Sequence, residues 1–338
     1  MTDLAIIIVN WNVRDLLAAC LRTVLTDLAA GDLSGQIWVV DNASHDGSVA
    51  MLERDFPQVR LLTSAENLGF AGGNNAALRA MGFGHDDRQA GRAEAMASVQ
   101  THSDLPKVVL LLNPDTKVQP GALQTLVDFL AGNARAGVAG ARLVYGDGSF
   151  QHSVFAFPGL WQLAIELLPL PGRLAESHLN GRYPRLLYER GRPFKVGHPL
   201  GAAMGVRGEA IEQVGLLDER YHMYVEEIDW CRRIVAAGWE AFCVPAAVVT
   251  HFGGQSTGQI QLDSMLHLWT SRYRFYHKHY HPVRVWLAGQ IVRIGMERKA
   301  AIDATTAGQG KLTEAELANR RRCYQRIIDI WRGKHSKS

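Results

Sequence analysis

Two acidic segments of the sequence carry the side chains best suited to chemistry. Asp115 follows the apolar run Lys107–Asn113, and a carboxylate at a strand end can hold Mg²⁺ or Mn²⁺, which share their other ligands with phosphate and water. Glu226 and Glu227 are adjacent, and neighbouring carboxylates raise one another's pKa, which can prepare one of them as a general base. An Asx turn at Asp115, and an acidic first helical turn at Glu226 and Glu227, are the structural alternatives.

Polar residues also follow other apolar runs, where a bound ligand could be held. Asp41 can accept a hydrogen bond from a ribose hydroxyl or a base N–H, and the glycines of Asn67–Asn75 let the backbone approach a ligand beside a helix N-terminus. Turns without a ligand explain both segments as well, and neither is the G-x-G-x-x-G of dinucleotide sites. His251 ends a further apolar run, where it is either a metal or phosphate ligand or, more commonly, a structural residue.

The elements that would position these residues alternate between two hydrophobic periods. Short, nearly continuous apolar runs predict buried strands at Leu4–Asn10, Gln36–Asn42, Val59–Ser64 and Lys107–Asn113. Helices are predicted between them at Arg14–Thr26, Gly47–Asp55, Ala71–Met81 and Gln119–Leu130. This order implies an α/β fold with a mostly parallel sheet, in which ligands bind beyond the carboxyl ends of the strands.

Composition excludes several classes of protein. The 338 residues are 47% hydrophobic, enough for a full core, and a net charge of +3 without basic runs before the C-terminal third argues against nucleic acid as a partner. No stretch approaches the roughly 18 apolar residues that span a bilayer, and we recognise no signal peptide. The four cysteines lie far apart, which favours reduced thiols and a cytoplasmic location.

Taken together and in order, these segments resemble the family 2 glycosyltransferases of the GT-A fold, and within them the rhamnosyltransferase-like group. The matching segments are Ile8–Asn12, Asp41–Ser44, Asn67–Phe70, Asn113–Asp115, Leu217–Glu219, Glu226–Asp229 and His251–Ser256. The resemblance implies a nucleotide-diphospho-sugar transferase fold over residues 1–257. Within it, polar composition predicts a surface insertion at about 84–106, and repeated prolines predict an irregular segment at about 155–195, which would lie on the acceptor side. Residues 258–338 would form a C-terminal helical extension.

The resemblance also implies roles for individual residues. Glu227 would be the base that deprotonates the acceptor hydroxyl, with Glu226 as the second choice, and Asp115 and His251 would hold Mg²⁺ or Mn²⁺ against the donor diphosphate. The implied nucleotide-binding residues are Asn10, Asn12, Asp41, Asn67, Gly69, Gly73, Asn74 and Asn113. Many GT-A enzymes carry an aspartate where this chain has Asn113, so the strength of metal binding is the feature least fixed by the resemblance.

The reaction implied by the resemblance is transfer of a sugar, with inversion, from a nucleotide-diphosphate sugar to a hydroxyl in cell-surface polysaccharide or glycolipid synthesis. It favours dTDP-rhamnose over UDP- or GDP-sugars as donor, and a glycan or polyprenyl-linked acceptor, used in the cytoplasm or at the inner face of the cell membrane. The alternatives are a sugar-phosphate nucleotidyltransferase, which would need more basic residues near the N-terminus than Arg14, and a non-catalytic nucleotide-sugar or glycan-binding protein.

The C-terminal third leaves three partners open: the catalytic domain, a second subunit of a homodimer, and a membrane surface. Trp269–His281 is rich in aromatic and basic residues, and the histidine spacing within it does not favour a metal site. Val283–Met296 is apolar but too short to span a bilayer. Its Arg284 and Arg293 are nine positions apart and fall on opposite faces of a helix, so a single polar face for interfacial binding is poorly defined.

Overall fold

The computed structural model describes residues 2–84, 105–221, 223–253 and 261–334. It divides into two compact units. The sheet unit consists of Met1–Phe155, Arg185–His222 and Glu226–Ser256, and the helical unit of Ala156–Pro184, Met223–Val225 and Thr257–Ser338. Most of the insertion predicted at about 84–106 lies outside the described residues, as does the predicted boundary at residues 257 and 258.

The strands all lie in the sheet unit. They are β1 (Leu4–Asn10), β2 (Gly35–Asn42), β3 (Arg60–Ser64), β4 (Val108–Leu112), β5 (Thr116–Val118), β6 (Ala136–Val144), β7 (Phe150–Gln151), β8 (Val154–Phe155), β9 (Phe194–Val196), β10 (His198–Pro199), β11 (Ala203–Arg207) and β12 (Glu240–His251). The main sheet has the order β3-β2-β1-β4-β11-β6-β12-β5. Strands β3, β2, β1 and β4 are parallel, whereas β11 is antiparallel to both β4 and β6.

Helices occur in both units. Those of the sheet unit are α1 (Arg14–Ala30), α2 (Ser48–Asp55), α3 (Gly69–Ala80), α4 (Ala122–Gly132), α6 (Arg185–Glu189), α7 (Gly208–Val214) and α8 (Glu226–Ala236). Those of the helical unit are α5 (Leu160–Leu167), α9 (Gln261–His279), α10 (Pro282–Gly308) and α11 (Glu314–Trp331). Helices α5 and α6 therefore lie inside the segment expected to be irregular.

The sheet unit has the predicted α/β architecture, with a mixed central sheet flanked by helices. Strands β1 and β4 are buried along almost their whole length because helices cover the sheet. Helix α1 packs its Leu17, Leu21 and Val24 into the same core. The first four predicted strands and the first four predicted helices are present, each within a few residues of its expected bounds.

The helical unit has an aromatic core of its own. Trp269 and Tyr276 of α9 are buried, and their rings lie 6.3 and 5.6 Å from that of Trp331 on α11. Thr313 and Glu316 form a capping box that begins α11. The aromatic residues of the segment Trp269–His281 thus serve packing within this unit. Among the described residues, no helix has both the length and the apolar character needed to cross a bilayer.

Candidate active site

The carboxyl ends of β1 and β2 are joined by a network of polar side chains. Asn10 Nδ2 donates to Asp41 Oδ2 at 2.8 Å and to Ser44 Oγ at 3.2 Å, while the Ser44 N–H donates to Asp41 Oδ1 at 2.9 Å. The Asn12 N–H donates to Ser44 Oγ at 3.0 Å, and the His45 N–H donates to Asn12 Oδ1 at 2.8 Å. The structure therefore brings together the predicted residues Asn10, Asn12 and Asp41 in one rigid cradle.

Two observations indicate that this cradle is more than a turn. Asn12 and Ala43 have positive φ angles of 53° and 60°, in the left-handed region that costs a residue with a side chain about 1–2 kcal/mol. Such strain tends to collect at ligand sites. Asn10 Oδ1 is buried and has no hydrogen-bond partner within the described part of the chain. An acceptor of this kind calls for a donor, which a ligand N–H or O–H would supply.

The start of α3 is organised by Asn67. Its Oδ1 accepts from the Gly69 N–H at 2.9 Å and from Asn42 Nδ2 at 3.3 Å, and Asn42 Nδ2 also donates to the Gly69 carbonyl at 3.1 Å. Gly69 has φ of +70°, which a residue with a side chain adopts only under strain. The exposed Asn67 and the turn at Gly69 therefore lie next to the end of β2, and their contact with a nucleotide stays a prediction.

Gly73 has a position that packing explains, whereas Asn74 is held by one hydrogen bond of its side-chain amide and its Oδ1 is buried without a partner in the described part of the chain. A Cβ added to Gly73 would lie 2.7 and 2.9 Å from the two methyl groups of Val9, so glycine is what allows α3 to lie against β1. Asn74 is buried, and its Nδ2 donates to the Phe70 carbonyl at 2.8 Å. Packing against Val9 accounts for Gly73 without a ligand, whereas the Asn74 oxygen is an acceptor of the same kind as Asn10 Oδ1. A contact of either residue with a nucleotide stays a prediction.

Asp115 and His251 meet where β5 pairs with β12. Thr116 is the register partner of His251, and the Phe252 N–H donates to the Asp115 carbonyl at 2.9 Å. These bonds hold Asp115 Oδ1 at 3.5 Å from His251 Nε2, with both side chains nearly buried. The other ring nitrogen of His251, Nδ1, lies 3.1 Å from Gln151 Nε2. The predicted metal residues, separated by 136 positions in the chain, are thus neighbours.

This pair fits a hard divalent cation held by few protein ligands. One carboxylate oxygen and one imidazole nitrogen lie 3.5 Å apart, and the contact of Gln151 with the other ring nitrogen holds the orientation of the His251 ring, as a hydrogen bond to a metal-binding histidine commonly does. The described residues contain no group of three or more histidine, cysteine, aspartate or glutamate side chains arranged to hold a metal. Two protein ligands suit Mg²⁺ or Mn²⁺ that completes its shell with diphosphate and water.

The turn before Asp115 is anchored by its backbone rather than by the Asn113 side chain. The Asn113 N–H donates to the Ala202 carbonyl at 3.0 Å, and Thr116 Oγ1 donates to the Asn113 carbonyl at 2.7 Å. The Asn113 side chain is partly exposed, which is compatible with its predicted contact with the nucleotide. The first of these bonds also ties the end of β4 to the segment that leads into β11.

Glu227 lies beside that same segment, at the start of α8. A Cβ added to Gly201 would be 3.7 Å from Glu227 Cβ and 3.0 Å from the ring of Phe70. Residues from the end of β4, the start of α3 and the start of α8 are therefore connected through positions 201 and 202. Although the Glu227 side chain is partly accessible, the surrounding protein desolvates it and raises the pKa to about 7, in spite of backbone N–H groups that lower it.

The other two acidic residues of α8 have different surroundings. Glu226 is almost fully buried, which makes it less accessible to an acceptor than Glu227. Asp229 is fully buried, where its Oδ2 accepts from Arg233 Nε at 3.0 Å and its Oδ1 accepts from the Tyr221 hydroxyl at 3.3 Å. Arg233 also donates to the Val214 carbonyl at 2.8 Å. Asp229 thus anchors α8 to the preceding loop.

One positioning residue, Asn75, was not found from the sequence. Its Oδ1 accepts from the Leu217 N–H at 3.0 Å, and its Nδ2 donates to the Leu217 carbonyl at 2.9 Å and to Glu219 Oε1 at 2.8 Å. Arg79 forms an ion pair with the same carboxylate at 2.6 Å. These contacts fasten α3 to the segment that precedes α8. The sequence shows only two adjacent asparagines, with nothing to identify a partner 142 residues away.

Two solved structures with a similar fold are glycosyltransferases. A mannosyltransferase from Pyrobaculum calidifontis, in complex with GDP-Man and Mn²⁺, is 14% identical to this chain with a TM-score of 0.53. The match covers 98% of this chain and 88% of the mannosyltransferase chain. GalNAc-T7 with UDP, GalNAc and Mn²⁺ is 13% identical with a TM-score of 0.51. The match covers 74% of this chain but only 43% of the GalNAc-T7 chain. Identities this low show the fold alone, which is the predicted GT-A fold.

Sequence comparison identifies the family. The family model described as glycosyl transferase family 2 matches residues 5–82. An N-acetylglucosaminyl-diphospho-decaprenol L-rhamnosyltransferase of Mycobacterium tuberculosis is 30% identical over 223 residues, which are 66% of this chain and 68% of the relative. The chain therefore belongs to glycosyltransferase family 2, and it is similar to the rhamnosyltransferases of that family.

Proposed function

We propose that this glycosyltransferase transfers a sugar, with inversion, from a nucleotide-diphosphate sugar to a glycan or polyprenyl-linked hydroxyl in a metal-dependent reaction. The observation that carries the proposal is that a carboxylate–imidazole pair and a glutamate of raised pKa border the same carboxyl edge of the sheet. dTDP-rhamnose is the favoured donor and a polyprenyl diphosphate-linked sugar the favoured acceptor, because the relative from Mycobacterium tuberculosis is named for rhamnosyl transfer to such a lipid. The reaction would take place in the cytoplasm or at the inner face of the cell membrane.

The donor nucleoside would be held by the cradle at β1 and β2. Each Asp41 oxygen already accepts one hydrogen bond from the protein, and a carboxylate oxygen has capacity for a second. The ribose hydroxyls or the base would use that capacity and the unpartnered Asn10 Oδ1. Asn12 and Asn67, which are held by backbone groups, would border the same nucleoside.

Asp115 and His251 would hold the Mg²⁺ or Mn²⁺, and Asn113 would lie beside the donor diphosphate. When bound, the cation neutralises negative charge on the departing nucleoside diphosphate. The contribution of this chain is to keep the two ligands close before the donor arrives, through strand pairing at Thr116 and through the contact between His251 and Gln151. Such preorganisation avoids reorganisation during the reaction.

Glu227 would accept the proton of the acceptor hydroxyl. As the acceptor oxygen forms its bond to the anomeric carbon, the bond from that carbon to the diphosphate oxygen breaks and the diphosphate leaves with the electron pair. Attack from the face opposite the leaving group inverts the anomeric centre. A base with a pKa of about 7 is ionised in much of the population near neutral pH and is still basic enough to take the proton.

Nucleotide-dependent thermal stabilisation tests the donor site directly. Melting temperatures would be measured with dTDP, UDP and GDP, each with and without Mn²⁺, and at about 100 times the Kd the bound state gains about 2.7 kcal/mol. We expect one nucleotide to stabilise the protein more strongly with Mn²⁺, and Asp115→Asn to abolish the Mn²⁺-dependent part. Asp128→Asn, an exposed change on α4, is the matched control. An unchanged Mn²⁺ effect in Asp115→Asn contradicts the proposed metal site.

A further inference from the structure

Helix α10 is apolar on two opposite faces. The buried face, formed by Val285, Ala288, Val292 and Met296, packs inside the helical unit. A Cβ added to Gly295 would lie 2.6 Å from the Leu167 side chain of α5, so that α5 and α10 are in close contact. The exposed apolar residues on the first four turns are Val283, Trp286, Leu287 and Ile294, which are 40–62% accessible. An apolar face of this kind on a surface helix marks an interaction site.

The exposed residues form a stripe on one side of α10, which the half-buried Gln290 interrupts between Leu287 and Ile294. At about 100° per residue, the four side chains fall within an arc of about 100°, and at 1.5 Å per residue they extend over about 16 Å. Arg284 and Arg293, which the sequence predicted on opposite faces of a helix, lie on the two sides of this arc. Each side of the stripe therefore carries one arginine. The Arg284 guanidinium lies 3.9 Å from the Tyr280 ring centre, and Arg293 is 3.1 Å from Glu297.

Charge is divided unevenly along the chain, and the basic part contains this helix. Residues 258–338 hold fifteen lysines and arginines against six aspartates and glutamates, whereas residues 1–257 hold twenty-one against twenty-seven. A net charge of about +9 in one part of a nearly neutral protein indicates an anionic partner.

We propose that this exposed face of α10 docks on an anionic lipid surface. Tryptophan, leucine and isoleucine between arginines are the residues that enter the headgroup region, where apolar side chains are buried and cations meet lipid phosphates. A second copy of the chain fits less well, since a two-fold contact through this stripe would place each copy's basic surface against its own equivalent. The inference does not depend on the identity of the sugar donor or acceptor.

Vesicle flotation of the full chain tests the proposal. Vesicles would contain phosphatidylcholine alone or with about 30% phosphatidylglycerol, which supplies a negative surface. We expect the protein to float with the anionic vesicles, to bind the neutral ones at least tenfold more weakly, and to be released by about 0.5 M salt, because salt screens the charges. The double variant Trp286→Ser/Ile294→Ser should bind the anionic vesicles at least tenfold more weakly than the unchanged protein.

Ile302→Ser is the matched control, because Ile302 is exposed on the same helix but lies beyond the stripe. Its flotation should equal that of the unchanged protein, and all variants should keep the original melting temperature. Equal flotation of the double variant overturns the proposal, as does a dimer in light scattering that the same double variant dissociates. Release of nucleoside diphosphate, measured on the same preparations without vesicles, tests the proposed catalytic activity independently of membrane binding.

Discussion

The raised pKa of Glu227 makes a quantitative prediction about the dependence of activity on pH. If the ionised carboxylate accepts the acceptor proton, kcat/KM follows the ionised fraction of Glu227. With a pKa of about 7, that fraction is about one half at pH 7, about one tenth at pH 6 and about one hundredth at pH 5. A glutamate at its ordinary pKa would instead remain ionised across this range, and the activity would be flat.

The assay is release of nucleoside diphosphate at subsaturating acceptor, between pH 5.5 and 9, with Mn²⁺ and constant ionic strength. We expect activity to rise about tenfold per pH unit below pH 7 and to level off above about pH 8. Glu227→Gln should lower kcat by about 10²- to 10⁴-fold and remove the acidic limb of the remaining activity. Glu209→Gln, an exposed change of the same kind on α7, is the matched control and should leave the profile unchanged.

The same pKa also predicts the pH dependence of stability. Folding raises the Glu227 pKa, so the folded state binds this proton more tightly than the unfolded chain, and stability falls as pH rises from about 4.5 to about 7. The full loss is at most about 3 kcal/mol. Glu227→Gln should therefore match the unchanged protein near pH 4.5 and exceed its stability at pH 8. A flat activity profile down to pH 5.5, or full turnover in Glu227→Gln, refutes the assignment of the base.

Two predictions concern α3. Asn75→Ala should lower the free energy of unfolding by about 2–4 kcal/mol in chemical denaturation, because it leaves both buried backbone groups of Leu217 unsatisfied. Asn74→Ala removes one bond to a helix carbonyl and should lower the free energy of unfolding by under about 1 kcal/mol. Equal losses in the two variants would contradict the anchoring role of Asn75. Gly73→Ala should cost about 1–3 kcal/mol by overlap with Val9, and Val9→Ala should recover part of it in a double-mutant cycle; a purely additive cycle would show that this contact does not explain the glycine.

Much of the sheet unit could be predicted because its elements are encoded locally. Strand β1 is an uninterrupted apolar run, and α1 has apolar residues at helical spacing, so each is recognisable without its neighbours. The reversed direction of β11 could not be predicted, since Ala203–Arg207 looks like any buried strand and its direction depends on pairing with β4 and β6. Helix α5 was hidden by the prolines around it, although its own eight residues contain none.

For the site, the sequence predicted which residue types gather but not the contacts that position them. The approach of His251 to Asp115 depends on the pairing of β5 with β12, which no local pattern reveals. The difference between Glu226 and Glu227 depends on which side of α8 is covered, because both occupy the same first turn. Metal and nucleotide roles for these residues stay predictions until the nucleotide and Mn²⁺ titrations are done.

The reversed strand β11 also bears on how acceptor preference could diverge between relatives. A parallel strand sends its following loop to the carboxyl edge, whereas β11 receives its preceding segment there, which is why Gly201 and Ala202 lie beside Glu227 and Asn113. The chain therefore reaches Glu227, the proposed base, by a route separate from the turns proposed to hold the nucleoside. A longer or different segment before β11 would change the surface proposed to face the acceptor, while the residues proposed to bind the nucleoside at the ends of β1 and β2 stayed the same.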